Sequence, residues 1–169
     1  MKKFALILLL CGFLCGCGYH LRGTGSSLPS HIARVHVPMF TNSTTRFELE
    51  LKLTQKIIDE MVARGKVEVT ADKSSAEATL LGDVITFVAN PIAFSGDGSA
   101  DRYNITVVAK ITLRDLTNNR VIFSNPNFAY QEEYEVPEGS DFETVESEAI
   151  DKIAEKFARS LMITILEGF

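Results

Sequence analysis

The sequence predicts an α+β domain in which two helices pack on one face of a mixed four- to five-stranded β-sheet. Three observations carry this. Two segments, 46–64 and 141–166, place apolar residues at steps of three and four. The chain between them alternates with the period of two of a strand. Turn residues then split that stretch into hairpins, giving strand, helix, three or four strands and a closing helix.

Arg34-Val35-His36-Val37 alternates and stops at Pro38, which predicts a first strand. Thr45 and Glu48 have the spacing of a capping box, and Phe47, Leu51, Ile58, Met61 and Val62 continue at helical intervals to the stop at Gly65. Leu49, Leu53 and Ile57 widen that apolar face, as in a helix covered on more than one side. Lys66 to Thr70 reads as a short strand, and Asp72 to Ser75 as the turn after it. From Glu77 to Asn90 the chain is β-rich, with Ala78, Leu80, Val84 and Val88 expected on one face and Leu81, Ile85 and Phe87 on the other. Pro91 is expected to end it, and 92–101 to be a hairpin connection.

Tyr103 to Arg114 is the clearest strand. Tyr103, Ile105, Val107, Ala109, Ile111 and Leu113 face one way, against Asn104, Thr106, Lys110, Thr112 and Arg114 on the other. A turn over 115–120 leads to a return strand, broken at Asn125-Pro126-Asn127, in which Phe128, Tyr130 and Tyr134 oppose Gln131, Glu133 and Glu135. Ser140 and Glu143 form a second capping box ahead of the stripe Phe142, Val145, Ala149, Ile153, Phe157, Leu161 and Ile165. Its polar face carries Glu143, Glu146, Glu148, Asp151 and Glu155, which suits a core-packed helix and not one lying on anionic lipid.

Ahead of the domain, Lys2 and Lys3 precede the uncharged run Phe4 to Leu14. That is the layout of a secretory signal, since crossing a bilayer takes about 20 apolar residues. Leu14-Cys15-Gly16-Cys17 resembles the bacterial lipobox, which implies removal of residues 1–16 and lipidation of Cys17. Residues 17–30 then form a tether of at most roughly 45–50 Å, and 31–169 a single domain. All three cysteines lie at or before position 17, so that domain has no disulfide and depends on its core. Loss of Lys2 and Lys3 takes the net charge from −5 to −7, which argues against nucleic acid as a partner.

No Gly-x-Ser-x-Gly elbow, His-Glu-x-x-His helix or Walker loop occurs, and Glu132 and Glu133 fall on alternate strand faces, so no enzyme is expected. His31 and His36 point to opposite faces with no third ligand nearby in sequence, so neither metal nor cofactor is expected.

The lipobox running into Cys17-Gly18-Tyr19-His20-Leu21-Arg22-Gly23, followed by an α+β domain of this order and size, resembles the LptE family of lipopolysaccharide-assembly lipoproteins. The resemblance implies an outer-membrane lipoprotein that plugs the LptD β-barrel, helps it assemble and takes part in lipopolysaccharide delivery to the outer leaflet. With residue 18 a glycine and not the aspartate of inner-membrane retention, the outer membrane is the implied destination. From the residues themselves, Lys110 and Arg114, with Arg120 at the adjoining turn, are candidates for contact with lipid phosphates. Leu81 and Ile85, on the strand apolar on both faces, are candidates for contact with the barrel. A lipoprotein adaptor of another secretion or barrel-assembly complex would need the same anchor and the same free sheet face.

Overall fold

Alternation along one strand sets up the whole architecture. In a computed structural model, which describes residues 28–96 and 98–168, strand β5 (Ala100–Asp115) buries Ile105, Val107, Ala109, Ile111 and Leu113 on one face. Both helices lie over that face. The other strands are β1 (Arg34–His36), β2 (Thr41–Asn42), β3 (Glu68–Thr70), β4 (Ala78–Phe94) and β6 (Arg120–Glu135). The helices are α1 (Leu49–Arg64) and α2 (Phe142–Glu167). The sheet runs β3-β1-β4-β5-β6 with β2 also on β4. β1 and β2 join it in parallel, while β4, β5 and β6 form antiparallel hairpins. The fold class is as predicted, with six strands, the two-residue β2 among them.

Helix α1 is seated by Leu49, Leu53, Ile57 and Met61, an i, i+4 row that is almost completely buried. Leu51 and Val62 are exposed, and Phe47 lies outside the helix. The expected capping box does not form. Glu48 takes the cap position at φ 62° without a side-chain bond, because Asn42 organises the approach instead. Its Oδ1 accepts from the Thr44 N–H at 2.9 Å, and its Nδ2 donates to Arg46 O at 2.7 Å and Glu50 Oε2 at 2.6 Å. Side-chain bonding two and four residues along competes with an early helix start.

Helix α2, 26 residues and about 39 Å long, buries Ala149, Ile153, Ala154, Phe157, Ala158, Leu161 and Met162. Its cap is Asp141, one residue later than expected, accepting from the Thr144 N–H at 2.8 Å. The two helices run parallel. Arg46 pairs with Glu146 at 2.8 Å, Lys52 with Asp151 at 3.0 Å and Arg64 with Glu167 at 3.0 Å. At the far end of the sheet Tyr103 stacks on Phe142 with ring centres 4.3 Å apart.

Strand β4 departs from simple alternation at one residue. Val84 pairs with Ala109 and Thr86 with Val108, leaving Ile85 as a bulge. One extra residue reverses every later side chain. Phe87 and Ala89 therefore pair with the inward Val107 and Ile105 and pack against the core, while Val88 pairs with Thr106 on the outer face. The expected faces of Val88 and Phe87 are thus exchanged. Pro91 does not end the strand either, since β4 continues to Phe94 with irregularities around 91–94. Among the described residues no strand lies on its other side at that level, so a missing N–H is tolerated. In β6, likewise, Asn125-Pro126-Asn127 is a bulge and not a break. Asn125 pairs with Ile111 and Phe128 with Ala109, at the free edge of the sheet.

A candidate partner surface on the sheet

The registers of β4, β5 and β6 define the outer face row by row. Leu81, Thr112 and Ser124 share one row, Thr86, Val108 and Ala129 another, and Val88, Thr106 and Gln131 a third. Asp83 and Lys110 form the charged row between them, and Asp83 is engaged by the Ser43 hydroxyl at 3.0 Å. The result is a long surface of threonine, small and branched side chains, with no helix over it among the described residues. Leu81 is 44% and the bulge residue Ile85 37% exposed, so both stand where a second molecule could reach them.

Two of the three candidate cations share a face. Lys110 and Arg114 lie on this outer face, roughly 13 Å apart along the strand at about 3.3 Å per residue, and Arg114 donates to Asn119 Oδ1 at 3.2 Å. Arg120 pairs in register with Asp115, whose carboxylate is buried on the opposite face. It therefore does not share the row of Lys110 and Arg114. Cys17 lies outside the described residues, as do the leader and most of the tether.

Asp115 is the polar feature that residue patterning did not disclose. Its Oδ1 accepts from the backbone N–H of Thr117 at 2.8 Å and of Asn118 at 3.0 Å. Its Oδ2 accepts from Asn118 Nδ2 and from His31 Nε2, both at 2.9 Å. One buried carboxylate thus closes the β5–β6 turn and ties it to the segment leading into β1. The Asp-x-Thr-Asn sequence signalled the turn, but the partner 84 residues away could not be read from it. Nearby, Arg34 grips Glu77 with Nη2 at 2.6 Å, Nε at 3.2 Å and its own backbone N–H at 2.6 Å. His36 Nδ1 lies 3.2 Å from Thr70 O, bridging β1 and β3. Among the described residues no three His, Cys, Asp or Glu side chains group in a way that could hold a metal ion.

These contacts imply a pH dependence of stability. The backbone and Asn118 donors hold the Asp115 carboxyl down at about 2, against an ordinary 3.8. Hydrogen bonding to Arg34 holds Glu77 at about 2, against 4.5. Because both pKa values are lowered by folding, both groups favour the folded state above their unfolded pKa values and lose that effect as the pH falls from about 4.5 to about 2. The urea midpoint is expected to stay flat from pH 7 to 5 and then to fall steeply. Asp115→Asn should flatten that fall, and an unaltered profile would remove Asp115 as its source.

The family model described as LptE, lipopolysaccharide-assembly, matches residues 32–165. No curated protein sequence matches the chain. Similar solved structures include CT253, a hypothetical protein from Chlamydia trachomatis, at 10% identity and a TM-score of 0.56, over 82% of this chain and 97% of that one. Lipoprotein B from Nitrosomonas europaea matches at 14% identity and a TM-score of 0.53, over 88% and 90%. PelC from Paraburkholderia phytofirmans, a dodecamer, matches at 16% identity and a TM-score of 0.52, over 85% and 96%. At such identities these likenesses speak for the fold alone. The family match spans every strand and nearly all of α2, and on that extent the chain belongs to the LptE family of lipopolysaccharide-assembly lipoproteins.

Proposed function

We propose that this protein is an outer-membrane lipoprotein, held through lipidated Cys17, that forms a complex with an LptD-type β-barrel. On this reading it aids assembly of the barrel, plugs it and takes part in lipopolysaccharide transport to the outer leaflet. The observation that supports it best is the distribution of exposed apolar side chains. Met39, Leu51 and Val62 stand out on or beside the helix layer, Leu81, Ile85, Val88 and Val121 on β4 and β6, and Ile92 and Phe94 near the hairpin tip. These side chains stand on several sides of the domain at once. A partner touching one side would leave the others in water, whereas a lumen that encloses the domain covers them together.

Detergent extraction of the tagged protein tests this. A stoichiometric LptD-type barrel is the expected companion, and photo-crosslinkers at Leu81 and Ile85 should capture it. Recovery of a different stable partner would assign the chain to another complex. Mass spectrometry of the mature N-terminal peptide should find acyl chains on Cys17, and a free thiol there would remove the anchor. For the lipid, Lys110 and Arg114 are the residues on one face that suit phosphate, with the guanidinium fork of arginine able to bond two oxygens. Replacing both by Ala is expected to weaken lipopolysaccharide binding by about tenfold, or about 1.4 kcal/mol, with little added by Arg120→Ala. Unchanged affinity would sink this assignment.

A further inference from the structure

The two long edges of the sheet are not protected alike. The outer edge of β6 carries Arg120, Glu132, Glu133 and Glu135 and is bent by the Pro126 bulge, which are the usual guards against unwanted strand pairing. The distal half of β4 has such guards only at its two ends, the Ile85 bulge and Pro91 with the irregularities at 91–94, and none over 86–90. From Ile85 to Phe94 the chain contains no charged residue. β2 covers β4 only at Asp83 and Val84, and the bond from Ser43 N to Val84 O at 2.8 Å is the last backbone contact on that side. Beyond it, among the described residues, no strand pairs with 86–94 opposite β5. An uncharged edge of high β-propensity is a template for another strand.

The chain also holds its own continuation away from this edge. After Ser43 the Asn42 side chain fixes the turn. Arg46 pairs with Glu146 and lies over the Phe87 ring, 5.6 Å from its centre, and Glu48 adopts the left-handed backbone at φ 62°. Phe47, between them, is 92% exposed. An aromatic side chain presented on a pinned turn beside an open strand edge offers the apolar contact that fixes the register of an added strand.

We propose that β4 residues 86–90 form a strand-addition site that pairs, backbone to backbone, with an extended apolar segment of a partner polypeptide, Phe47 packing against one of its side chains. The chemistry recognised is a second main chain, whose N–H and C=O groups match the unpaired row, together with alternate apolar residues. The described residues ahead of β1, 28–33, lie at the opposite end of β4, where His31 meets Asp115 beside Glu77. This inference rests on the reading that the domain works in a stable complex, and hydrogen exchange separates the two.

The full-length protein is extracted in detergent from its own membrane with whatever accompanies it, and its amide exchange is compared with that of the same chain produced alone. The amides of 86–90 that face away from β5 should exchange at least tenfold more slowly in the membrane-extracted form. Val88→Lys, a charge on the outer face of the edge strand, and Phe47→Ala should each abolish that difference while circular dichroism stays unchanged. Equal exchange in the two forms overturns the proposal, and so does protection in the chain produced alone that rises with concentration, which would assign the edge to a second copy. Whether the accompanying protein is an LptD-type barrel decides the functional reading independently.

Discussion

Phe157→Ala is expected to lower the unfolding free energy by about 3–5 kcal/mol, the range for truncating a buried aromatic residue. Phe157 is fully buried on α2 and meets Phe128 of β6 edge to face, with ring centres 5.1 Å apart at 84°. Truncation removes the transfer energy of the ring and leaves a cavity between helix and sheet that α2 cannot close without lifting its neighbours Ile153 and Leu161. For a domain of this size the loss corresponds to a fall of about 10–15 °C in Tm. Urea unfolding measures it, with a lowered midpoint and an unchanged slope. A loss below about 1 kcal/mol would mean that the seat of α2 lies elsewhere.

Gly82→Val is the second large effect. Gly82 sits in β4 between the buried Leu80 and Val84 on the inward face, and a Cβ there would fall within the ring of Phe40. The glycine leaves the space that Phe40, itself buried, occupies next to β2. Phe40 in turn donates its backbone N–H to Thr54 Oγ1 at 3.0 Å, which fixes the β1–β2 segment to α1. A branched side chain at 82 must expel the ring, at a cost of about 1–3 kcal/mol or more for overpacking. The same substitution in a Phe40→Ala background should cost much less, because the two residues compete for one volume. Additive losses in the double-mutant cycle would show that Phe40 is not what excludes the side chain.

The helical stripe of α2 and the alternation of β5 with its polar outer face were legible because each rests on periodicity within one element. Lys110 and Arg114 were placed correctly on one face for the same reason. The reading failed where one residue changed the count or a distant group competed. The Ile85 bulge inverted Val88 and Phe87, and the Asn42 side chain displaced the start of α1 and left Phe47 outside it. Arg120 looked like a neighbour of Arg114 because it follows the turn, yet the register places it opposite Asp115.

Sequence alone determined the class of the protein: a domain without cysteine, two amphipathic helices and the strands they cover, together with the resemblance that the family match sustains. Those features are local, set by hydrophobic period and by short motifs that need no partner in space. Only the tertiary structure decided which edge of the sheet is left open, which carboxylate ties the β5–β6 turn to the start of β1, and which apolar residues remain at the surface. Each of those depends on what lies across a gap of tens of residues, where packing and hydrogen-bond competition override local propensity.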